Sequence, residues 1–431
     1  MVTLARRLGA FDATMIVMGG IIGSGIFINP HVVAQYVHSP ATILGAWIAG
    51  GVIAILGAFV YAELAVIRPE AGGQYAYLRD AYHPAVAFLY GWALLLVIQT
   101  GGMAAVAVTF AKYFISLTGV HAADWLIASI ALAILTIINI FGVRAGSNTQ
   151  TVLMLLKLAA ILMLIGTGIF FGRGAAAEVG AATPGLLSFA AAMTPVMFAY
   201  GGWQTSSFMS AELKRPERDL GIALLAGVSG VIAVYVGVNI ACLKALGPAG
   251  LAATSTPASA VMQTIFGARG AQLIAIGIAV STLGFLSQGM LTAPRVYYAM
   301  AEDRLFFRAV AKIHPTTRVP YIAIILQGVV AIIIAVSKQY DQILSYVVAT
   351  DFIFFGLTGA ALLIFRHRGA THAGFHTPGH PFTTIAFTAA CWLVVIGTAI
   401  AEPKQSAIGY AILILGAASY WLWAPSRKIA P

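Results

Sequence analysis

Between Met18 and Phe27 the chain reads Met-Gly-Gly-Ile-Ile-Gly-Ser-Gly-Ile-Phe, with four glycines and a serine between Gly19 and Gly25. The stretch lies inside an apolar segment, 11–37, long enough to cross a bilayer at about 20 residues per span. Each interior glycine costs a helix roughly 0.5–1 kcal/mol against alanine, so the run is poor helix material. In hydrocarbon a broken helix leaves peptide N–H and C=O groups unpaired, which is tolerated only inside protein or against a cavity. Two readings stand here. Either the break turns its freed N–H groups to a substrate carboxylate, or the glycines let two helices pack closely, as small residues do in membranes.

Charge is scarce along the whole chain. Of 431 residues, 60% are hydrophobic and 9% charged, with a mean hydropathy of +0.92. So few charges cannot cover the surface of a soluble domain, whereas the length suits about ten to thirteen membrane-spanning helices. Cys242 and Cys391 both lie in apolar runs and mark neither a disulfide framework nor a metal site. A net charge of +10 raises nucleic acid as a partner. With the amino terminus in the cytoplasm, however, most of the 24 Lys and Arg fall on that side, the asymmetry of an integral membrane protein. The expected partner is the lipid bilayer, not nucleic acid. Arg6 and Arg7 precede a full-length span rather than a cleavable signal.

The apolar runs divide into twelve spans, at about 11–37, 41–67, 84–117, 124–142, 149–171, 188–212, 220–246, 270–300, 320–337, 341–365, 383–401 and 405–424. Between the second and third, Glu70 to Asp80 is rich in aromatics and charge and is expected as a cytoplasmic surface loop, a lid seal or a plain connector. The sixth span repeats the first anomaly: in Met197-Phe-Ala-Tyr-Gly-Gly-Trp203 a glycine pair interrupts the middle of the run. The first and sixth spans each lead five helices. If the two sets of five run in opposite senses, the breaks match in an inverted repeat, the best sequence pointer to a transporter binding site at the midplane. Two matched clusters are hard to ascribe to chance packing.

Two ionisable residues lie deep. Lys157 is roughly eight residues, or about 12 Å, into the fifth span, and a charge at the helix centre costs about 2.5–3.5 kcal/mol. A functional role competes with snorkelling to the interface. Asp351 occupies a similar depth in the tenth span, either functional or hydrogen-bonded to a Ser or Thr on a neighbouring helix. The eighth span carries Ser281, Thr282 and Ser287, as ligands or as interhelical glue. His367, His372, His376 and His380 are irregularly spaced in a Gly/Pro-rich loop, and no designed metal site is expected of them. The residues hold no metal-ligand cluster, nucleophile elbow or phosphate loop, so no enzyme activity and no cofactor are expected. A transport-dead receptor is the other class.

Taken jointly, Gly19 to Phe27, Pro69 to Arg79, Phe198 to Trp203, Glu212 to Leu220 and Arg295 to Pro315 resemble the amino acid–polyamine–organocation superfamily, and most closely its L-type amino acid transporter branch. The resemblance covers nearly the whole chain. It implies an all-α integral membrane protein of 12 transmembrane helices in a single domain, 1–431. An inverted 5+5 repeat (about 11–171 and 188–365) would be followed by two C-terminal helices (about 383–424), with helices 1 and 6 broken. It further implies that the substrate carboxylate meets backbone N–H groups around Ser24, Gly25 and Ile26, with the Ser24 hydroxyl nearby, and that Ile22 and Gly23 belong to the same substrate-binding stretch. The α-amine would meet carbonyls of Ile21, Phe198, Ala199 and Gly201, and Phe198 and Trp203 would form the gate. Lys157 matches the family's fifth-helix lysine, which stands where sodium-coupled relatives hold an ion; Ser281 and Asp351 join it in that role. Whether Lys157 holds a fixed charge or cycles a proton stays open.

The loop Thr118 to Asp124 has no cysteine, so the disulfide to a heavy chain made by animal relatives is not expected. His31 and Gln288 differ from the commoner family residues. The tryptophan platform of arginine/agmatine exchangers is not evident, and no acidic residue lies near Gly201 in sequence to receive a guanidinium. The expectation is a sodium-independent exchanger of neutral L-amino acids in the cell membrane, with both termini cytoplasmic. Proton-coupled uptake through Lys157 and cationic amino acid or polyamine exchange are the alternatives.

Overall fold

A computed structural model describes residues 4, 6–173, 185–337 and 343–423. The first two residues expected of the tenth span, 341 and 342, and the last of the twelfth, 424, lie outside them. Among the described residues the chain is helical, with no β-strand and a single isolated bridge between Leu8 and Leu213.

The first apolar segment forms two helices, α1 (Ala10–Ile21) and α2 (Gly25–Tyr36), whose axes bend by 41°. α3 (Pro40–Ile67) follows, started by Ser39, whose hydroxyl accepts the Thr42 N–H. The short α4 (Gln74–Ala81) leads to α5 (Pro84–Ala93), a π-helical turn (Leu94–Ile98) and α6 (Gln99–Thr118), one continuous apolar rod. Such a π-turn frees a carbonyl, and here the Thr100 hydroxyl donates to the Leu95 oxygen. Gly119, at φ +69°, ends α6 in the left-handed conformation that glycine adopts without strain. α7 (Asp124–Ile140) and α8 (Val143–Phe171) complete the first half.

In the second half, α9 (Leu186–Tyr200) stops at Gly201 and Gly202, and the chain resumes as a 3₁₀ segment (Trp203–Glu212). α10 (Pro216–Ala253), α11 (Pro257–Thr292) and α12 (Pro294–Glu302) each begin with proline, whose missing N–H is unneeded in a first turn. α10 kinks at Gly247 and α11 at Gly267, both at positive φ. α10 outruns the expected 220–246 at both ends, whereas α11 starts before the expected 270–300 and stops at Thr292, leaving the rest of that span to α12. After a short 3₁₀ turn come α13 (Tyr321–Val336), α14 (Ile343–His367), α15 (Phe382–Ala401) and α16 (Pro403–Trp423).

Among the described residues, seven helices are long and apolar enough to cross a membrane, or eight if α1 and α2 count as one bent span. α7 and α13 are apolar but shorter. Ile130, Ile134 and Ile137 point outward from α7, and Leu155, Leu156 and Leu162 from α8, each at helical spacing. Such an apolar exterior suits lipid. Inside, α10 packs chiefly on α3, α1 and α8, and α11 on α8 and α6.

The segment expected as a surface loop is instead largely interior. Tyr75, Tyr77 and Leu78 of α4 are fully buried, because the aromatic face packs under the bundle while the charges close on one another. Arg79 bonds Asp303 at 2.8 Å, Asp80 at 2.7 Å and Glu70 at 2.9 Å.

Candidate functional site at the two helix breaks

Helix α1 gives out at Ile21, and Ile22 takes extended backbone angles. The chain turns through Gly23 and Ser24 before α2 starts at Gly25. A helix start leaves N–H groups without intrahelical partners, and a helix end leaves C=O groups so. The first break therefore offers donors from Gly25 onward and acceptors up to Ile21. At the second break α9 offers its terminal carbonyls in the same place. Ile21, Gly23, Ser24 and Gly25 border a cavity of about 70 Å³ together with Phe198, Ala199 and Gly201, room for a few water-sized groups. The half-buried Phe198 forms part of its wall. Ile22 and Ile26 are fully buried and lie outside that lining.

The glycines divide their work. A Cβ on Gly202 would fall 2.1 Å from the Gly20 carbonyl oxygen, and one on Gly20 would fall 2.7 Å from that of Gly202. A Cβ on Gly19 would fall 1.6 Å from the Gln150 amide nitrogen. Those three are close-packing positions, as small residues are in membranes. Gly23 and Gly25 border the cavity, as Gly202 does as well.

Lys157 is fully buried. Its Nζ donates to the Ile22 carbonyl at 2.5 Å and to the Gly19 carbonyl at 3.3 Å. It reaches the end of α1 rather than the interface, so snorkelling does not describe it. Gly284 of α11 makes the room, since a Cβ there would stand 2.8 Å from Lys157 Cε and 3.0 Å from Nζ. Ser281, one turn earlier on the same helix, donates its hydroxyl to the Gly23 carbonyl at 3.3 Å. α8 and α11 thus satisfy carbonyls that the break exposes.

The family model for amino acid permeases matches residues 8–422. The chain belongs to the amino acid permease family. It is 30% identical over 423 residues to the serine/threonine exchanger SteT of Bacillus subtilis, covering 97% of both chains. It is 29% identical over 434 residues to the human large neutral amino acids transporter small subunit 2, covering 98% of this chain and 81% of that one. To the human b(0,+)-type amino acid transporter 1 it is 28% identical over 385 residues, covering 84% and 77%. The permease is thus an amino acid transporter of the amino acid–polyamine–organocation superfamily, L-type branch, and a multi-pass membrane protein.

Several residues of the permease's site carry no signal in the sequence. Tyr235, a lone tyrosine in the apolar run of α10, places its hydroxyl 3.0 Å from both the Ile21 and the Ala199 carbonyl oxygens, bridging the two broken ends. Gln204 accepts the Gly202 N–H at 3.1 Å and borders the cavity, as Gln99 does beside the π-turn. Gln288, which the sequence does mark as unlike the commoner family residue, donates to the hydroxyl of Thr205, which borders the cavity.

Trp203, expected as a gate, is absent from the cavity wall. It is 3% exposed and stacked on Phe355 at 5.3 Å, with its edge met by Tyr61 at 4.8 Å. The expectation that no acid lies near Gly201 needs correction. Asp351 borders the cavity that Gly201 and Gly202 border, because α14 packs against α9. A separation of 150 residues in sequence hid that approach.

Away from this site, Glu63, His372 and His376 bring ligand-type atoms within 4.8 Å of one another. A guanidinium already bonds two of the three. Arg366 bonds Glu63 Oε1 at 2.6 Å and His376 Nδ1 at 2.9 Å, and a cation there opposes a metal ion.

Proposed function

We propose that this permease exchanges neutral L-amino acids across the cytoplasmic membrane by alternating access, independently of sodium. One observation carries the reading: a single cavity meets both the amino-terminal start of α2 and the carbonyl-terminated ends of α1 and α9. A helix start favours an anion through its unpaired N–H groups and its dipole. Helix ends favour a cation for the opposite reason. Together they suit a group that carries a carboxylate and an ammonium side by side, which is the part common to every amino acid.

In this reading the carboxylate meets the backbone of Gly23, Ser24, Gly25 and Ile26, with the Ser24 hydroxyl beside it. The ammonium meets carbonyls of Ile21, Phe198, Ala199 and Gly201, and Phe198 closes over the ligand. Lys157 supplies a positive charge where a coupling ion would otherwise sit, which supports sodium independence. Twelve spans in an inverted 5+5 repeat, with two extra helices and both termini cytoplasmic, complete the proposal. With no cysteine between Thr118 and Asp124, a disulfide-linked heavy chain has no anchor there.

The test is uptake of radiolabelled alanine, serine and leucine into proteoliposomes at two external pH values in sodium-free buffer. Uptake that requires internal amino acid and ignores the pH gradient is expected. Uptake into empty vesicles driven by external acid would replace exchange with proton-coupled uptake. A requirement for sodium would overturn the role given to Lys157.

A further inference from the structure

Among the described residues bordering the cavity, Asp351 is the one ionisable side chain. It is 8% exposed. One oxygen, Oδ2, receives a long hydrogen bond of 3.4 Å from the Gln204 side chain. The other, Oδ1, is buried and meets no donor. Of the buried side-chain atoms left without a partner among the described residues, it alone belongs to a residue that borders the cavity. Neither a Ser nor a Thr hydroxyl on a neighbouring helix supplies the missing partner, so the structural role weighed for Asp351 from the sequence is not met. Asp351 therefore brings unfilled acceptor capacity to the wall of the cavity.

We propose that Asp351 is the receptor for a hydrogen-bond donor on the substrate's side chain, so that the permease selects amino acids bearing a side-chain hydroxyl over isosteric aliphatic ones. The proposal rests on the reading of this cavity as an amino acid site. The α-amino and α-carboxylate groups are met by the broken helices, and both are common to all amino acids, so neither distinguishes one from another. Asp351 approaches from a different helix, α14, beside Gln204. A site built to bond a donor discriminates strongly against the analogue lacking it, because the buried acceptor is then left unpaired. The same chemistry would arise from a side-chain ammonium, and the two sources separate by experiment.

The experiment measures inhibition of radiolabelled alanine uptake in proteoliposomes by unlabelled threonine against valine, and by ornithine against norleucine. It uses the wild-type chain, Asp351→Leu and Asp351→Asn. Threonine is expected to compete at least about tenfold better than valine, with that ratio falling toward one in Asp351→Leu and several-fold in Asp351→Asn. Each ratio is internal to one preparation, so a poorly folding variant does not imitate the result, and either variant suffices.

Ornithine outcompeting norleucine tenfold, with the same collapse, would uphold Asp351 as the receptor and overturn the neutral reading. Equal competition within both pairs in the wild type would overturn the inference and leave neutral exchange standing. A threonine preference that persists unchanged in whichever variant takes up alanine would overturn it as well. Absence of competition by every amino acid would bring down the amino acid site itself, and this inference with it.

Discussion

The Lys157 Nζ stands 2.5 Å from the carbonyl oxygen of Ile22, across a gap that α1 opens by ending one residue earlier. Removing the donor leaves two buried carbonyls without it, at about 1–3 kcal/mol each. Lys157→Ala is therefore expected to lower uptake at neutral pH by tenfold or more while the protein still elutes as a single species in detergent. Gly284→Val should do the same from the other side, since its Cβ would press on Lys157 Cε. Wild-type flux in both variants would relegate the lysine to a structural part.

At Gly25 the added Cβ would stand 3.2 Å from Ala199 Cα, and a larger side chain must enter the cavity or push the two breaks apart. Gly25→Leu is expected to abolish substrate binding, measured by ligand-dependent thermal stabilisation. Ser24→Ala should weaken it only about two- to tenfold, because backbone donors remain and one neutral hydrogen bond contributes about 0.5–1.5 kcal/mol. Complete loss on removal of the hydroxyl would make Ser24 the main contact.

Tyr235 ties the Ile21 and Ala199 carbonyls, which belong to the two different breaks. Tyr235→Phe keeps the ring packing and removes the tie. Exchange should fall about two- to tenfold. Equal exchange by the two forms would show that the broken ends hold their places without it.

Arg295 and Glu212 are both fully buried and 2.6 Å apart. The backbone oxygen of Glu212 also receives the Arg7 and Leu8 N–H groups, and Lys214 donates to the Leu8 carbonyl, so the pair anchors the amino-terminal segment to the exit of the second break. Breaking a buried ion pair from one side costs about 3–5 kcal/mol, whereas replacing both partners by apolar residues is often neutral. Arg295→Met should lower the thermal unfolding temperature markedly, and Arg295→Met with Glu212→Leu should restore most of it. A double variant as unstable as the single would show that the charges themselves are needed.

Much of the site was legible because its signals are local. Glycine clusters mark where helices fail, and Lys157 announces itself by its depth in an apolar run. Trp203 shows the limit of such reading, since its place beside the second break says nothing of its direction, which Tyr61 and Phe355 decide by packing. Tyr235 and Gly284 are ordinary residues of apolar helices, and their roles exist only in what lies across from them. Charge in the stretch Glu70 to Asp80 points to a surface loop, whereas Tyr75 and Tyr77 are buried, because the charges pair with one another and leave the aromatic face to pack.

By itself the sequence determined that this chain is a helical membrane protein with glycine clusters interrupting two of its apolar runs and with an amino acid permease's motifs. Apolar run length, glycine content and charge placement are properties of neighbouring residues and survive without a fold. Tertiary structure alone decided that Gly20 meets Gly202, that Lys157 reaches Ile22, and that Asp351 stands at the cavity of Gly201. Those pairings join residues more than a hundred positions apart, and only the packing of helices against one another selects them.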